Sequence, residues 1–131
     1  MSHIINDDKK NNTVIFHNSK DIKKIKHLIS KGVKLNYTDL DSSNKINLKK
    51  VFSKAYNMGI GSIIIEGGKT LTKSLLRDKL INEFYLFKSK KNLGKLGINN
   101  ISDFKKKITN FLKKKENIET FLDGDKITRY Y

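Results

Sequence analysis

Along the chain, short β-branched or aromatic runs alternate with segments whose apolar residues recur at helical spacing. The clearest helical spacing covers Leu48–Met58 and predicts an amphipathic helix closed by Gly59. The apolar run Ser62–Glu66 follows and predicts a strand buried on both faces of a sheet. Gly67 and Gly68 break that strand and lead directly into another helical pattern. Strand, glycines and helix in immediate succession favour a sheet with helices on its faces.

The rest of the chain supplies the other elements of such a fold. Further strands are predicted at Thr13–Phe16, Val33–Tyr37 and Glu83–Ser89. Further helices are predicted at Ile22–Ile29, with a cap near Asn18 and Ser19, at Leu71–Lys79, and at Ser102–Leu112. Asp123 and Gly124 predict a hairpin turn between strands Ile118–Leu122 and Ile127–Tyr131. This alternation predicts an α/β fold with a largely parallel sheet and a C-terminal antiparallel hairpin.

The formal charge of +15 suggests a nucleic-acid partner, but the composition offers another explanation. Of the 28 basic residues 26 are lysine, and only Arg77 and Arg129 are arginine. Lys, Asn and Ile are all written with A/T-rich codons, so codon bias can produce this composition on a solvated surface. A nucleic-acid reader is expected to keep arginine for bidentate contacts. We therefore do not expect a nucleic-acid partner.

Several other classes are excluded by what the chain lacks. The chain has no cysteine, which excludes disulfides and cysteine-based metal sites. His3, His17 and His27 are isolated, so we predict no metal centre. No apolar run exceeds four residues, which predicts no membrane partner. The polar first ten residues do not resemble a signal peptide, so we expect a cytoplasmic protein with a flexible start over residues 1–12.

The candidate site is the junction of the predicted strand and the helix after it. Ligands of open α/β sheets bind beyond the carboxyl ends of strands. A helix N-terminus offers free N–H groups, and glycines let a phosphate approach the backbone closely. Lys69 adds a cation, and Thr70 and Thr72 add hydroxyl groups. A plain strand–helix turn explains the two glycines equally well.

Glu66 is the carboxylate at the end of this apolar strand. A carboxylate there is costly unless it is paired or faces a ligand. Three explanations stay open from the residues alone: an exposed strand end, a salt bridge to a lysine, or a contact to ligand groups such as sugar hydroxyls.

These residues form part of a longer pattern: a helix, Gly59-Ile60-x-Ser62, a strand ending Glu66-Gly67-Gly68, then Thr70-Leu71, a helix, Leu80-Ile81-x-Glu83, a strand, and Leu93-Gly94. This pattern resembles the reductase domain of the bifunctional riboflavin-biosynthesis enzyme, the RibD C-terminal family. The resemblance covers about residues 13–131 and is most specific over residues 59–94.

The resemblance implies a dihydrofolate-reductase-like fold, with a mostly parallel sheet flanked by helices in one partial reductase domain, residues 1–131. It implies NADPH-dependent reduction of the ribosyl group of 5-amino-6-(5-phosphoribosylamino)uracil to the ribityl chain. Glu66 is expected to contact the ribosyl hydroxyls. The residues expected to bind NADPH, mainly through backbone N–H groups, are Gly67, Gly68, Lys69, Thr70, Leu71, Thr72 and Ser74. The expected partners are the phosphorylated pyrimidine and a second copy or a complementing chain.

The sequence also departs from the family pattern. Asn82 stands where the family usually has Asp, Lys90 where it has Pro, and Lys69 where it has Pro or a small residue. The family's Ser-Leu-Asp-Gly-like segment has no counterpart upstream of Thr13. We therefore expect an incomplete domain: a fragment, half of a split enzyme, or a diverged remnant. The alternatives are a non-catalytic or partner-dependent module of the same fold and, third, a basic nucleic-acid-binding protein.

Overall fold

The computed structural model describes residues 6, 8, 10–91, 102–121 and 124–131. The chain divides into two compact units, Met1–Ile63 and Ile64–Tyr131. In chain order the elements are a 3-10 helix Lys10–Asn12, β1 Val14–His17, α1 Ile22–Ser30, β2 Lys34–Tyr37, α2 Leu48–Asn57, α3 Lys69–Arg77, β3 Phe84–Lys88, α4 Ser102–Phe111, β4 Lys115–Ile118 and β5 Lys126–Tyr130.

The first unit is built on a parallel pair of strands. β1 and β2 pair in parallel with Val14 opposite Lys34, and α1 connects them. Gly32 ends the turn after α1 with a φ of +83°, a conformation that glycine adopts without strain. Buried Val33 leads into β2. The predicted strand, helix, glycine and strand are all confirmed here.

The start of α1 differs from the prediction in one detail. Asp21 caps the helix, its carboxylate accepting a hydrogen bond from the Lys24 N–H at 3.0 Å. The expected cap near Asn18 and Ser19 is wrong, because the Asn18 amide is engaged elsewhere. Its Nδ2 donates to the Thr38 carbonyl at 2.9 Å and so ties the end of β1 to the end of β2.

The helix α2 confirms the prediction made from the clearest helical spacing in the sequence. Asn47 caps it, its side chain accepting from the Lys50 N–H at 3.1 Å. Ala55 is its buried residue. Gly59 follows the helix with a φ of +84°, which explains why a glycine closes this pattern.

The second unit is a three-stranded antiparallel sheet with two helices. Its strand order is β3, β5, β4, so β5 lies in the centre. The buried residues of its core come from both helices, from the residue after α4 and from β5: Leu76, Phe104, Ile108, Leu112 and Tyr130. The predicted helical apolar positions of α4 therefore form the core of this unit.

The predicted strand Ser62–Glu66 is wrong. Residues 60–68 form no ladder with any strand in the described part of the chain, and Ile64 is 91% exposed. Strand propensity alone does not make a strand, since its backbone groups need a neighbouring strand. The described strands pair as β1-β2 and β3-β5-β4, and residues 60–68 join neither sheet.

The α/β class is confirmed, but the balance of strand directions differs from the expectation. One of the three strand pairs among the described residues is parallel and two are antiparallel. The C-terminal hairpin is confirmed, although its first strand is β4, Lys115–Ile118, and not Ile118–Leu122. Gly124 in its turn has a φ of +72°.

Some expectations lie outside the described residues. These include Leu93-Gly94, Asp123 and most of the start at residues 1–12. Among the helices that the structure describes, none has both the length and the apolar character needed to cross a membrane.

Candidate functional site

The candidate site is the first turn of α3 and the two glycines before it. Gly68 is the N-cap residue, with no side-chain hydrogen bond capping the helix, and the first turn contains no acidic residue. The first bond within the helix runs from the Thr72 N–H to the Gly68 carbonyl, at 3.2 Å. The N–H groups of residues 69–71 precede that bond at the N-terminal end of the helix, where its positive partial charge lies.

The two glycines have different neighbours. A Cβ built on Gly67 would lie 2.7 Å from Cδ2 of Leu71, so the Leu71 side chain covers this glycine. A Cβ built on Gly68 would have no atom within 4 Å. Gly68 has φ −74° and ψ −179°, a conformation open to any residue. Neither the backbone conformation nor the packing among the described residues requires a glycine at position 68.

The hydroxyl-bearing residues of α3 are not equivalent. Thr70 is exposed at the helix start. Thr72 is buried, and its Oγ1 donates to the Gly68 carbonyl at 3.3 Å. Ser74 is also buried, one turn further from the helix start than Thr70. Of these three residues, Thr70 is the one whose side chain is open to solvent at the helix start.

Lys69 is the cation at the start of α3, and it contacts the second helix of its unit. Its ammonium nitrogen lies 5.8 Å from the centre of the Phe104 ring, within the range of a cation–π contact. Phe104 is buried in the core of the unit. Lys69 thus joins the first turn of α3 to α4, a contact between residues 35 positions apart that no local pattern indicates.

Glu66 is exposed and stands directly before Gly67. No hydrogen bond or ion pair joins its carboxylate to another residue in the described ranges. The structure therefore does not support a salt bridge as the explanation for Glu66. An exposed carboxylate two residues before the N-cap residue of a helix can accept hydrogen bonds from hydroxyl groups of a ligand.

Sequence reasoning missed a second polar group, at the carboxyl ends of β1 and β2. His17 Nδ1 accepts from the Ser19 N–H at 3.2 Å, and the His17 ring meets Tyr37 edge-on at 5.9 Å. Thr38 is 1% exposed, and no described group bonds to its Oγ1. The signal that could have found this group is the pairing of two parallel strands, whose carboxyl ends meet at one edge.

One carboxylate near this edge has a shifted pKa. Asp39 pairs with the Lys50 ammonium, which lowers the pKa of Asp39 below its ordinary value, first by a hydrogen bond and then by charge attraction. The pair lies on the surface, so it contributes little to stability. It ties the loop after β2 to the first turn of α2.

These observations define an α/β protein with an open, uncapped helix N-terminus next to a carboxylate. The model of the RibD C-terminal domain matches residues 1–120 of the chain. The chain therefore belongs to the RibD C-terminal domain family, which is a family of reductase-like domains of riboflavin biosynthesis. The expected resemblance is confirmed. A search of curated proteins finds no match.

Proposed function

We propose that the chain is an NADPH-dependent reductase domain that reduces the ribosyl group of 5-amino-6-(5-phosphoribosylamino)uracil to the ribityl chain. Family membership supports the general class of oxidoreductase. NADPH, when bound, supplies the hydride. The formal charge of +15 favours the approach of a phosphorylated substrate and a polyphosphate cofactor. The dihydrofolate-reductase-like arrangement and a cytoplasmic location are part of the same proposal.

The observation that carries the proposal is the open space at Gly68. Neither the φ angle of Gly68 nor its described neighbours require a glycine. A ligand that approaches the backbone at this point would explain why the residue has no side chain. The N–H groups of the first turn of α3 face such a ligand with a positive partial charge, which suits a diphosphate. The first turn itself contains no acidic residue that would repel a phosphate.

Each residue of the site has a role in the proposal. Gly67, Gly68 and the N–H groups of Lys69, Thr70 and Leu71 bind the phosphate oxygens. The Lys69 ammonium adds a charge-assisted contact. The inner residues of the helix, Thr72 and Ser74, support its first turn from within. Glu66 accepts hydrogen bonds from the ribosyl hydroxyls and so orients the substrate.

The test is calorimetric titration of the full chain with NADPH, comparing the wild type with Gly68→Asp. We expect heat of binding in the wild type and none in Gly68→Asp, because the new carboxylate fills the open space and repels phosphate. The fold should persist, since aspartate is a favourable N-cap residue. Gly61→Asp is the matched control: a Cβ at Gly61 also meets nothing within 4 Å, and the added charge is the same.

Two results would contradict the proposal. One is the absence of NADPH binding to the wild type at millimolar cofactor. The other is equal loss of binding in Gly61→Asp and Gly68→Asp, which would reflect charge anywhere in this segment and not occupancy of the helix start.

A non-catalytic or partner-dependent module of the same fold is the second candidate, favoured by Asn82, which stands where the family usually has Asp. Steady-state oxidation of NADPH in the presence of the phosphoribosylamino substrate separates the two candidates. A reductase turns over, and Glu66→Gln lowers turnover while the affinity for NADPH stays unchanged. A binding module binds NADPH without turnover.

A further inference from the structure

The helix α1 uses only part of its apolar surface within its own unit. It contacts β2, and its residues Ile25 and Leu28 are half-buried, but none of its residues is buried. Ile22 and Ile29 are 65% and 57% exposed. Because they are seven positions apart, they lie on one side of the helix, about 10 Å from each other along its axis. Ile22, Ile25 and Ile29 follow each other at spacings of three and four, and we call them the isoleucine row.

Exposed lysines lie directly beside the isoleucine row. Lys26 follows Ile22 by four positions and precedes Ile29 by three, so it neighbours both on the helix surface. Lys23, three positions before Lys26, continues this line of positive charge. The helix contains no acidic residue, and no ion pair joins Lys23, Lys24 or Lys26 to a carboxylate in the part of the chain that the structure describes. Their charge is therefore open to a partner.

The combination of an exposed apolar row and unpaired lysines narrows the chemistry of that partner. Basic amphipathic helices are typical of sites that bind an acidic protein or an anionic bilayer. A helix on a bilayer buries a broad apolar face, whereas α1 directs Ile25 and Leu28 partly into its own unit and leaves two isoleucines open. A nucleic acid would use the lysines but would gain little from isoleucines. These observations favour an acidic protein segment with apolar residues of its own.

We propose that α1 docks an acidic amphipathic helix of a different protein. Apolar residues of that helix, repeating at spacings of three and four, pack against the isoleucine row, as in other helix pairs. Its carboxylates face Lys23 and Lys26, which speeds association and fixes the orientation of the partner. A second copy of this chain does not fit, because it carries a charge of +15 itself. None of these residues belongs to the candidate site, so the proposal does not depend on NADPH binding.

The test is fluorescence anisotropy of a labelled synthetic peptide titrated with the full chain. The peptide has three heptads, with leucine at a and d, glutamate at e and g, and alanine or glutamine elsewhere; the glutamates keep it from pairing with itself. One control peptide has serine in place of leucine, and the other has lysine in place of glutamate. The chain should bind the leucine–glutamate peptide at least about tenfold more tightly than either control, because each control lacks one of the two complementary features.

Two variants of the chain locate the binding on α1. Ile29→Ser should weaken binding of the leucine–glutamate peptide about fivefold or more, through lost apolar burial. Its matched control is Ile64→Ser, since Ile64 is 91% exposed outside α1. Lys26→Glu should weaken binding about tenfold, and less at high salt. Its matched control is Lys105→Glu, which makes the same charge change at an exposed lysine of α4. Both controls should change the affinity less than about twofold, and circular dichroism verifies that all four variants are folded.

Four results would overturn the proposal. The first is no binding of the leucine–glutamate peptide at millimolar chain. The second is equal affinity for the leucine and the serine peptides, which would reflect only the net charge of the chain. The third is an equal loss of affinity in the α1 variants and their controls, which would place the peptide elsewhere. The fourth is binding to vesicles of phosphatidylserine and phosphatidylcholine that Ile29→Ser and Lys26→Glu weaken while they leave peptide binding unchanged, which would assign α1 to a bilayer surface.

Discussion

The ammonium of Lys69 lies 5.8 Å from the centre of the Phe104 ring, so the first residue of α3 is held against α4. Phe104 is buried in the core of its unit. The contact limits the positions that the ammonium can take and keeps it near the uncapped helix start. Under the proposed function, the charge of Lys69 is thereby preset beside the N–H groups that bind phosphate.

Replacing Lys69 should weaken NADPH binding without loss of the fold. We expect Lys69→Ala to raise the dissociation constant about three- to tenfold, because one charge-assisted contact to phosphate is lost. Lys73→Ala, which removes an exposed lysine one turn further along the same helix, should have a smaller effect. Calorimetric titration at two salt concentrations measures both, and the Lys69 effect should shrink at high salt. Equal effects of the two variants would show that only the net charge matters.

The core of the second unit can be tested at Ile108, which is 1% exposed in the middle of α4. Ile108→Ala should lower the free energy of unfolding by about 2–5 kcal/mol, since it leaves a cavity among Leu76, Phe104 and Tyr130. Ile22→Ala, on the exposed side of α1, should change it by less than about 0.5 kcal/mol. Urea denaturation followed by circular dichroism measures both. A small effect at Ile108 would contradict the described core.

The ion pair between Arg129 and Glu83 predicts a pH dependence of stability. Hydrogen bonds from Arg129 and Tyr85 lower the pKa of Glu83 below its ordinary value of 4.5. A lowered pKa in the folded state means that the contribution of Glu83 is present above pH 4.5 and is lost as the pH falls through the folded-state pKa. Glu83→Gln should therefore be less stable than the wild type at pH 7, and the difference should vanish in acid.

Urea midpoints at neutral and at acid pH measure this difference. Glu119→Gln serves as the control, because it removes another exposed carboxylate from the same unit, and we expect it to lower the midpoint at pH 7 by less than Glu83→Gln does. If the stability difference between Glu83→Gln and the wild type stays constant with pH, the ionisation of Glu83 is not coupled to folding.

Local patterns in the sequence predicted the elements that local interactions determine. The apolar spacing of α2 and the glycine at position 59 depend on residues within one or two turns of each other, and both predictions are confirmed. Ser62–Glu66 has equally clear strand residues, yet its pairing depends on a strand elsewhere in the chain. Propensity carries no information on whether that partner is in place.

The same distinction applies to the candidate site. Gly67 and Gly68 look identical in sequence, but Gly67 is covered by Leu71 and Gly68 is open. The contact of Lys69 with Phe104 and the buried hydroxyl of Thr38 depend on tertiary packing. The sequence indicates the two glycines at the helix start as a candidate site, whereas the contacts that support this helix start are visible only in three dimensions.

Under the proposed function, the phosphates of NADPH bind at the N-terminus of α3. The most direct test of this binding is a titration of the ¹⁵N-labelled chain with NADPH, followed by amide resonances. We expect the largest shifts at the amides of residues 67–71, with little change at α1. Absence of shifts at millimolar NADPH, or shifts confined to other parts of the chain, would contradict it.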